Sequence, residues 1–151
     1  MKKVVSVFLC VLLLFSVLSV SASAQEPEDI LVSRKVEVLE NGDQIITEIY
    51  LNAVQPMTGI SGHATRTYKD AFGTAMWAVV VNGTFNYTYG VSCEATYAGV
   101  VVPIYDSGCS VVSKNAYTHS NAATATCSVQ YGHSVTNGSV TLYCDVYGNL
   151  S

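Results

Sequence analysis

Ala123-Thr124-Ala125-Thr126-Cys127-Ser128-Val129-Gln130-Tyr131 and Val140-Thr141-Leu142-Tyr143-Cys144-Asp145-Val146-Tyr147 are the two stretches that decide the fold. In each, apolar and polar residues alternate with a period of two, the pattern of a strand with one face in a core and the other in water. Cys127 and Cys144 both fall on the apolar face, so their thiols are expected inside the domain.

Working outward, the preceding sequence is rich in Val, Thr and Tyr, with Gly and Asn as punctuation, which is strand chemistry broken by turns. Arg34–Glu40 and Asp43–Leu51 flank Asn41-Gly42, a pair that favours a two-residue hairpin turn. That register sets Val38 against Ile45 and Lys35 against Glu48. Residues 52–62 read as a loop and 63–70 as a further strand. Trp77, Val79 and Val81 share one face of Ala75–Val81, and Asn82-Gly83 predicts a second hairpin leading into Thr84–Tyr89. Phe85, Tyr87 and Tyr89 are expected at the heart of the core, with Trp77 buried. Val91–Tyr97 places Val91, Cys93, Ala95 and Tyr97 on one face. Val100–Tyr105 and Cys109–Ser113 are short strands around an Asp106-Ser107-Gly108 turn. No stretch after residue 24 sustains a helical period. Seven to nine short strands predict an all-β antiparallel β-sandwich, immunoglobulin-like in outline, with a small β-barrel as the alternative.

At the other end of the chain, Lys2 and Lys3 precede an apolar run from Val4 to Val20, and Ala22-Ser23-Ala24 leads into the polar Gln25-Glu26-Pro27-Glu28-Asp29. A basic start, an apolar centre and a small-x-small exit make a signal peptide, residues 1–24, with cleavage expected after Ala24. The run is short for a membrane span and interrupted by serines. Residues 25–33 then read as a flexible arm and 34–151 as a single domain. Lys2 and Lys3 would leave with the leader, so five basic residues face eleven acidic ones, a net charge of −6. Such a chain repels phosphate backbones, and no nucleic-acid partner is expected. No stable membrane insertion is expected after cleavage. The chain ends without a hydrophobic tail or sorting motif, so the expected location is secreted, extracellular.

Four cysteines remain past the leader: Cys93, Cys109, Cys127 and Cys144. An even number in an exported chain reads as two disulfides. Of three possible pairings the nested one, Cys93–Cys144 with Cys109–Cys127, is expected, because the last strand of a Greek key returns beside an earlier hairpin. The absence of a C-x-x-C pair argues against zinc and thioredoxin-like chemistry.

Candidate chemistry is sparse, and the expectation is a non-enzyme without cofactor or metal. His63, His119 and His133 share no ligand spacing, and His63 and His133 each follow a glycine in an expected loop. Gly59-Ile60-Ser61-Gly62-His63 departs from the G-x-S-x-G elbow of serine hydrolases. Glu48, Asp70, Glu94 and Asp106 are the carboxylates that acid–base work would use, and alternation turns Glu94 away from Cys93. The positive feature is ten tyrosines. Tyr143 and Tyr147 lie on the outward face of the last strand and are the expected binding surface, since tyrosine supplies contact area at low entropic cost. Asn82-Gly83-Thr84, Asn86-Tyr87-Thr88, Asn137-Gly138-Ser139 and Asn149-Leu150-Ser151 fit the N-glycosylation pattern; the leader resembles bacterial ones, in whose hosts these sites are expected to stay bare, with a eukaryotic origin as the alternative.

From Thr74 onward the chain resembles small exported β-rich proteins of Gram-positive bacteria with no assigned function. The residues that carry the resemblance are Trp77–Val81 running into Gly83-Thr84-Phe85-Asn86-Tyr87, Ser92-Cys93, Asn121-Ala122-Ala123-Thr124-Ala125, and the ending from Val140 to Ser151. The resemblance implies secretion and a β-rich fold, and no activity. The expected function is therefore non-catalytic binding of an extracellular or cell-surface ligand. A bacteriocin-like or toxin-like antagonist comes second and an extracellular hydrolase third.

Overall fold

A computed structural model describes residues 28–56 and 58–151, so the leader at 1–24 lies outside the described residues. Among the described residues, eight antiparallel strands form two sheets: β1 (Ile30–Val38), β2 (Gln44–Leu51), β3 (Ile60–Lys69), β4 (Ala75–Thr88) and β5 (Ser92–Val101) in one, and β6 (Cys109–His119), β7 (Ala122–Tyr131) and β8 (Ser134–Tyr143) in the other. The second sheet packs face to face on β3, β4 and β5, and no closed barrel forms.

The core follows from the alternation. Trp77, Val79, Val81 and Phe85 on β4 meet Ala123, Ala125, Cys127 and Val129 on β7 and Val140 and Leu142 on β8, all of them buried. Large side chains on β4 oppose small ones on β7, which lets the layers interdigitate. Each fully buried Val, Leu or Phe contributes roughly 1.5–3 kcal/mol relative to leaving it exposed. The Trp77 indole stacks on Tyr68 of β3 with ring centroids 3.8 Å apart. Its far edge sits on Gly138 of β8, where a Cβ would lie 2.6 Å from the indole ring.

Strand order corrects the immunoglobulin-like expectation. Each sheet is a plain meander in sequence order, β1-β2-β3-β4-β5 and β6-β7-β8, whereas the immunoglobulin fold interleaves its strands between sheets. Asn82-Gly83 is no turn, because β4 runs straight through it for fourteen residues. Gly83 is required for packing: a Cβ there would meet the Phe85 ring at 2.9 Å and Ala123 at 3.1 Å. Asn41-Gly42 does turn the chain, but in a three-residue loop. Gly42 alone takes positive φ, and Leu39 N–H donates to the Asp43 carbonyl. The extra residue shifts the expected register by one, so Arg34 opposes Glu48 and Val38 opposes Gln44.

Other boundaries move as well. Strand β1 begins at Ile30, four residues inside the stretch expected to be an arm. His63 and Ser61 lie within β3 rather than in a loop. In β5, a bulge at Thr96 switches the inward set from Cys93 and Ala95 to Ala98 and Val100, followed by Val102 just past the strand, and so turns Tyr97 outward. Strand β8 starts earlier than expected and ends at Tyr143, leaving Asp145–Asn149 to form a turn.

Candidate functional site

Of the three aromatics expected in the core after Gly83, only Phe85 is buried. Tyr87 lies one residue from the end of β4 and Tyr89 one residue beyond it, and the second sheet buries neither as it does Phe85. The C-terminal turn comes up to meet them. Tyr89 and Tyr147 contact edge to face at 5.3 Å, and the Tyr87 ring lies over Gly148, where a Cβ would fall 2.8 Å from it. The Gly90 N–H donates to the Val146 carbonyl at 2.9 Å, tying the β4–β5 hairpin to the turn. Tyr87, Tyr89 and Tyr147 remain 37, 75 and 55 % exposed, and Val91 beside them is also open to solvent.

The turn that presents Tyr147 is organised by one carboxylate. Asp145 accepts hydrogen bonds from the N–H of Tyr147 at 2.8 Å, the N–H of Asn149 at 2.9 Å and the Asn149 side-chain amide at 2.9 Å. The Asn149 amide and these backbone donors hold its pKa below the usual carboxylate value. Gly148 takes φ 83° to close the turn. Past it, Leu150 is buried against Gly62 and bridges Cys144, while Tyr143 and Ser151 exchange two backbone hydrogen bonds.

Directly below lie two of the cysteines. Cys93 pairs with Tyr87 across β4 and β5, and its thiol neighbours that of Cys144. Burial, with the Cys93 thiol adding to it, pushes the Cys144 pKa up to about 12. Both thiols are free, as are those of Cys109 and Cys127. The expected Cys109–Cys127 bridge is corrected by register: Cys109 opposes Tyr131 while Cys127 opposes Lys114. Four residues of β7 then separate the two sites, roughly 13 Å of strand, about twice what a disulfide spans. Burial raises the pKa of each of these thiols, which suits inert core positions.

The two expected binding tyrosines therefore part company. Tyr147 joins the cluster. Tyr143 is exposed on the outer face of the three-stranded sheet, in register with Ala122 and beside the hydroxyl pair of Thr124 and Thr141, 3.0 Å apart. Tyr87 and Tyr89 were missed as partners of Tyr147 because 58 residues separate Tyr89 from it, and alternation alone assigned them to the core.

A concavity of about 580 Å³ lies on the outer face of the large sheet. His63 lines it, stacked on Tyr50, with Nδ1 3.1 Å from Asn52 Oδ1 and 3.6 Å from Asp29 Oδ2. Among the described residues no hydroxyl bonds to His63, and no group of three or more His, Cys, Asp or Glu gathers to hold a metal. Glu94 is exposed and pairs with Asn86 across the strands. Comparison of the chain with protein-family models, with curated proteins and with solved structures gave no match.

Proposed function

We propose that this chain is a secreted, non-catalytic β-sandwich protein that binds a ligand at or outside the cell surface, with Tyr87, Tyr89 and Tyr147 as its contact surface. The observation that carries this reading is the cluster itself. Three solvent-facing rings, drawn from two distant segments, are held together by a glycine contact, a backbone hydrogen bond and a capped turn. Rigid aromatic surface of this kind costs little entropy on binding. In the oxidising medium that the leader-like residues 1–24 support, a single Cys93–Cys144 disulfide would lock the base of the cluster.

The test is co-sedimentation of the oxidised protein with Gram-positive cell walls, mucin and whole cells. Saturable retention on one target, weakened at least tenfold in Y89A/Y147A, is the expected result. Retention that Y89A/Y147A leaves unchanged would assign binding elsewhere, and no retention on any target would overturn the reading.

A further inference from the structure

Strand β1 is unlike the others. It is the outermost strand of the large sheet, no strand of the second sheet covers it, and eight of its nine residues are exposed. Val36 and Val38 are 51 and 68 % exposed, and Ile30, Leu31 and Val32 are also open. Among the described residues nothing pairs with its outer edge. An open edge with this much apolar character is a template for another strand.

The β1–β2 hairpin fixes which groups that edge offers. Because the Leu39 N–H bonds to Asp43, Leu39 and Asp43 form a hydrogen-bonded pair. Alternation then makes Glu37–Ile45 and Lys35–Thr47 hydrogen-bonded pairs, and leaves the N–H and C=O groups of Arg34, Val36 and Val38 pointing outward. The bulge at Val32 interrupts the ladder and limits the usable edge to Ser33–Val38.

We infer that β1 pairs antiparallel with β1 of a second copy of this chain, on a two-fold axis through Val36. The charges select this register. With the axis at Val36, Val36 faces its own copy and Arg34 faces Val38, giving about six backbone hydrogen bonds. Lys35 then stands directly opposite Glu37 of the other copy, twice, in the non-hydrogen-bonded positions where side chains come closest. Moving the axis one residue either way sets Lys35 against Lys35 or Glu37 against Glu37. Within one copy Lys35 and Glu37 already form an ion pair at 2.8 Å, with Arg66 3.6 Å from Glu37. The two-fold joins two such pairs into a quartet of alternating sign. The result is one continuous ten-stranded sheet, with a tyrosine cluster contributed by each copy. Five residues a side bury less than the roughly 1,200 Å² of a standard interface, so the dimer is a weak one that forms at high concentration.

Sedimentation equilibrium from low micromolar to about millimolar protein tests this. The parent is expected to pass from monomer to dimer, and K35E and E37K each to dimerise at least tenfold more weakly. An equimolar mixture of K35E and E37K should recover association as a heterodimer, because the two lysines of one face the two glutamates of the other. V36P removes an outward N–H without touching the bond to β2, so it should keep its far-UV circular dichroism and remain monomeric. A parent that stays monomeric throughout, or a dimer that K35E, E37K and V36P leave intact, overturns the proposal. Loss of association in Y89A/Y147A with no effect in the β1 variants would assign the contact to the tyrosine cluster and overturn it equally.

Discussion

Gly138→Ala tests the packing of the two sheets at one atom. The added Cβ would lie 2.6 and 2.7 Å from two carbons of the Trp77 six-membered ring and 3.2 Å from the Cys127 sulfur. Carbon atoms in contact prefer about 3.5–4.0 Å, so the indole must retreat by about 1 Å. Retreat is obstructed because Tyr68 stacks on the indole, at 3.8 Å between centroids. Overpacking of this kind costs about 1–3 kcal/mol, offset by the 0.4–1 kcal/mol or so gained when an unfolded glycine becomes alanine. The net loss of about 1–2 kcal/mol corresponds to a melting temperature roughly 4–8 °C lower for a domain of this size. Thermal unfolding followed by circular dichroism measures it. Trp77 is the sole tryptophan, so its native emission reports the displacement directly. W77F removes the ring atoms that clash, and G138A/W77F should therefore be more stable than the two single losses predict, by about 1 kcal/mol. A G138A protein as stable as its parent with unmoved emission, or strict additivity in the double variant, would refute the seating of Trp77 on Gly138.

Mass spectrometry of the protein after air oxidation should show the loss of two hydrogens, about 2 Da, since the Cys93 and Cys144 thiols are neighbours while register holds Cys109 and Cys127 apart; a loss of four would mean that a second bridge forms. Closing that loop should add about 4 kcal/mol in the chain-entropy account, read as the stability difference between the oxidised protein and C93S/C144S. In the reduced protein the Cys144 thiol has a raised pKa, so its contribution is intact below the unfolded value near 8.5 and fades as pH climbs toward about 12. Alkaline titration of stability should show that loss in the reduced form and not in the bridged one. Asp145 behaves oppositely: its depressed pKa stabilises the C-terminal turn above about pH 4, and this is lost as pH falls through the folded value, so the protection of the Tyr147 and Asn149 amides relative to their intrinsic exchange rates should fall on acidification. L150A should cost about 2–4 kcal/mol by opening a cavity over Gly62, and a melting temperature equal to the parent's would contradict its burial.

The residues that proved legible in the sequence are those whose environment is set by their own strand. Ala123 to Val129 alternate cleanly because β7 is the centre of its sheet, covered on one face along its length. Trp77, Val79 and Val81 read correctly for the same reason. Asn82-Gly83 misled because a glycine demanded by an aromatic ring two residues on is indistinguishable, in sequence, from one demanded by a turn. The Thr96 bulge inverted Tyr97 because alternation carries no record of an inserted residue. Tyr87 and Tyr89 kept the alternation of core residues where the second sheet no longer buries them, and only the three-dimensional packing shows where the pattern stops meaning burial. The topology was the least legible feature. Period-two patterns identify strands and faces, but the choice between a meander and a Greek key lies in contacts dozens of residues apart.

Among the described residues the chain passes between its two sheets once, through residues 102–108, where Pro103 and Ile104 hold to the start of β4 and Asp106 closes the turn into β6. Strands β1 to β5 before that passage build one sheet, and β6 to β8 after it build the other. The molecule is thus two contiguous halves joined by a single thread, and a cut at Ser107 would sever no hydrogen-bonded strand pair. Two fragments made this way would each carry a whole sheet with half of a core on its face. They would find each other through Phe85, Leu142 and their neighbours, as two strangers with matching surfaces rather than as one chain folding on itself.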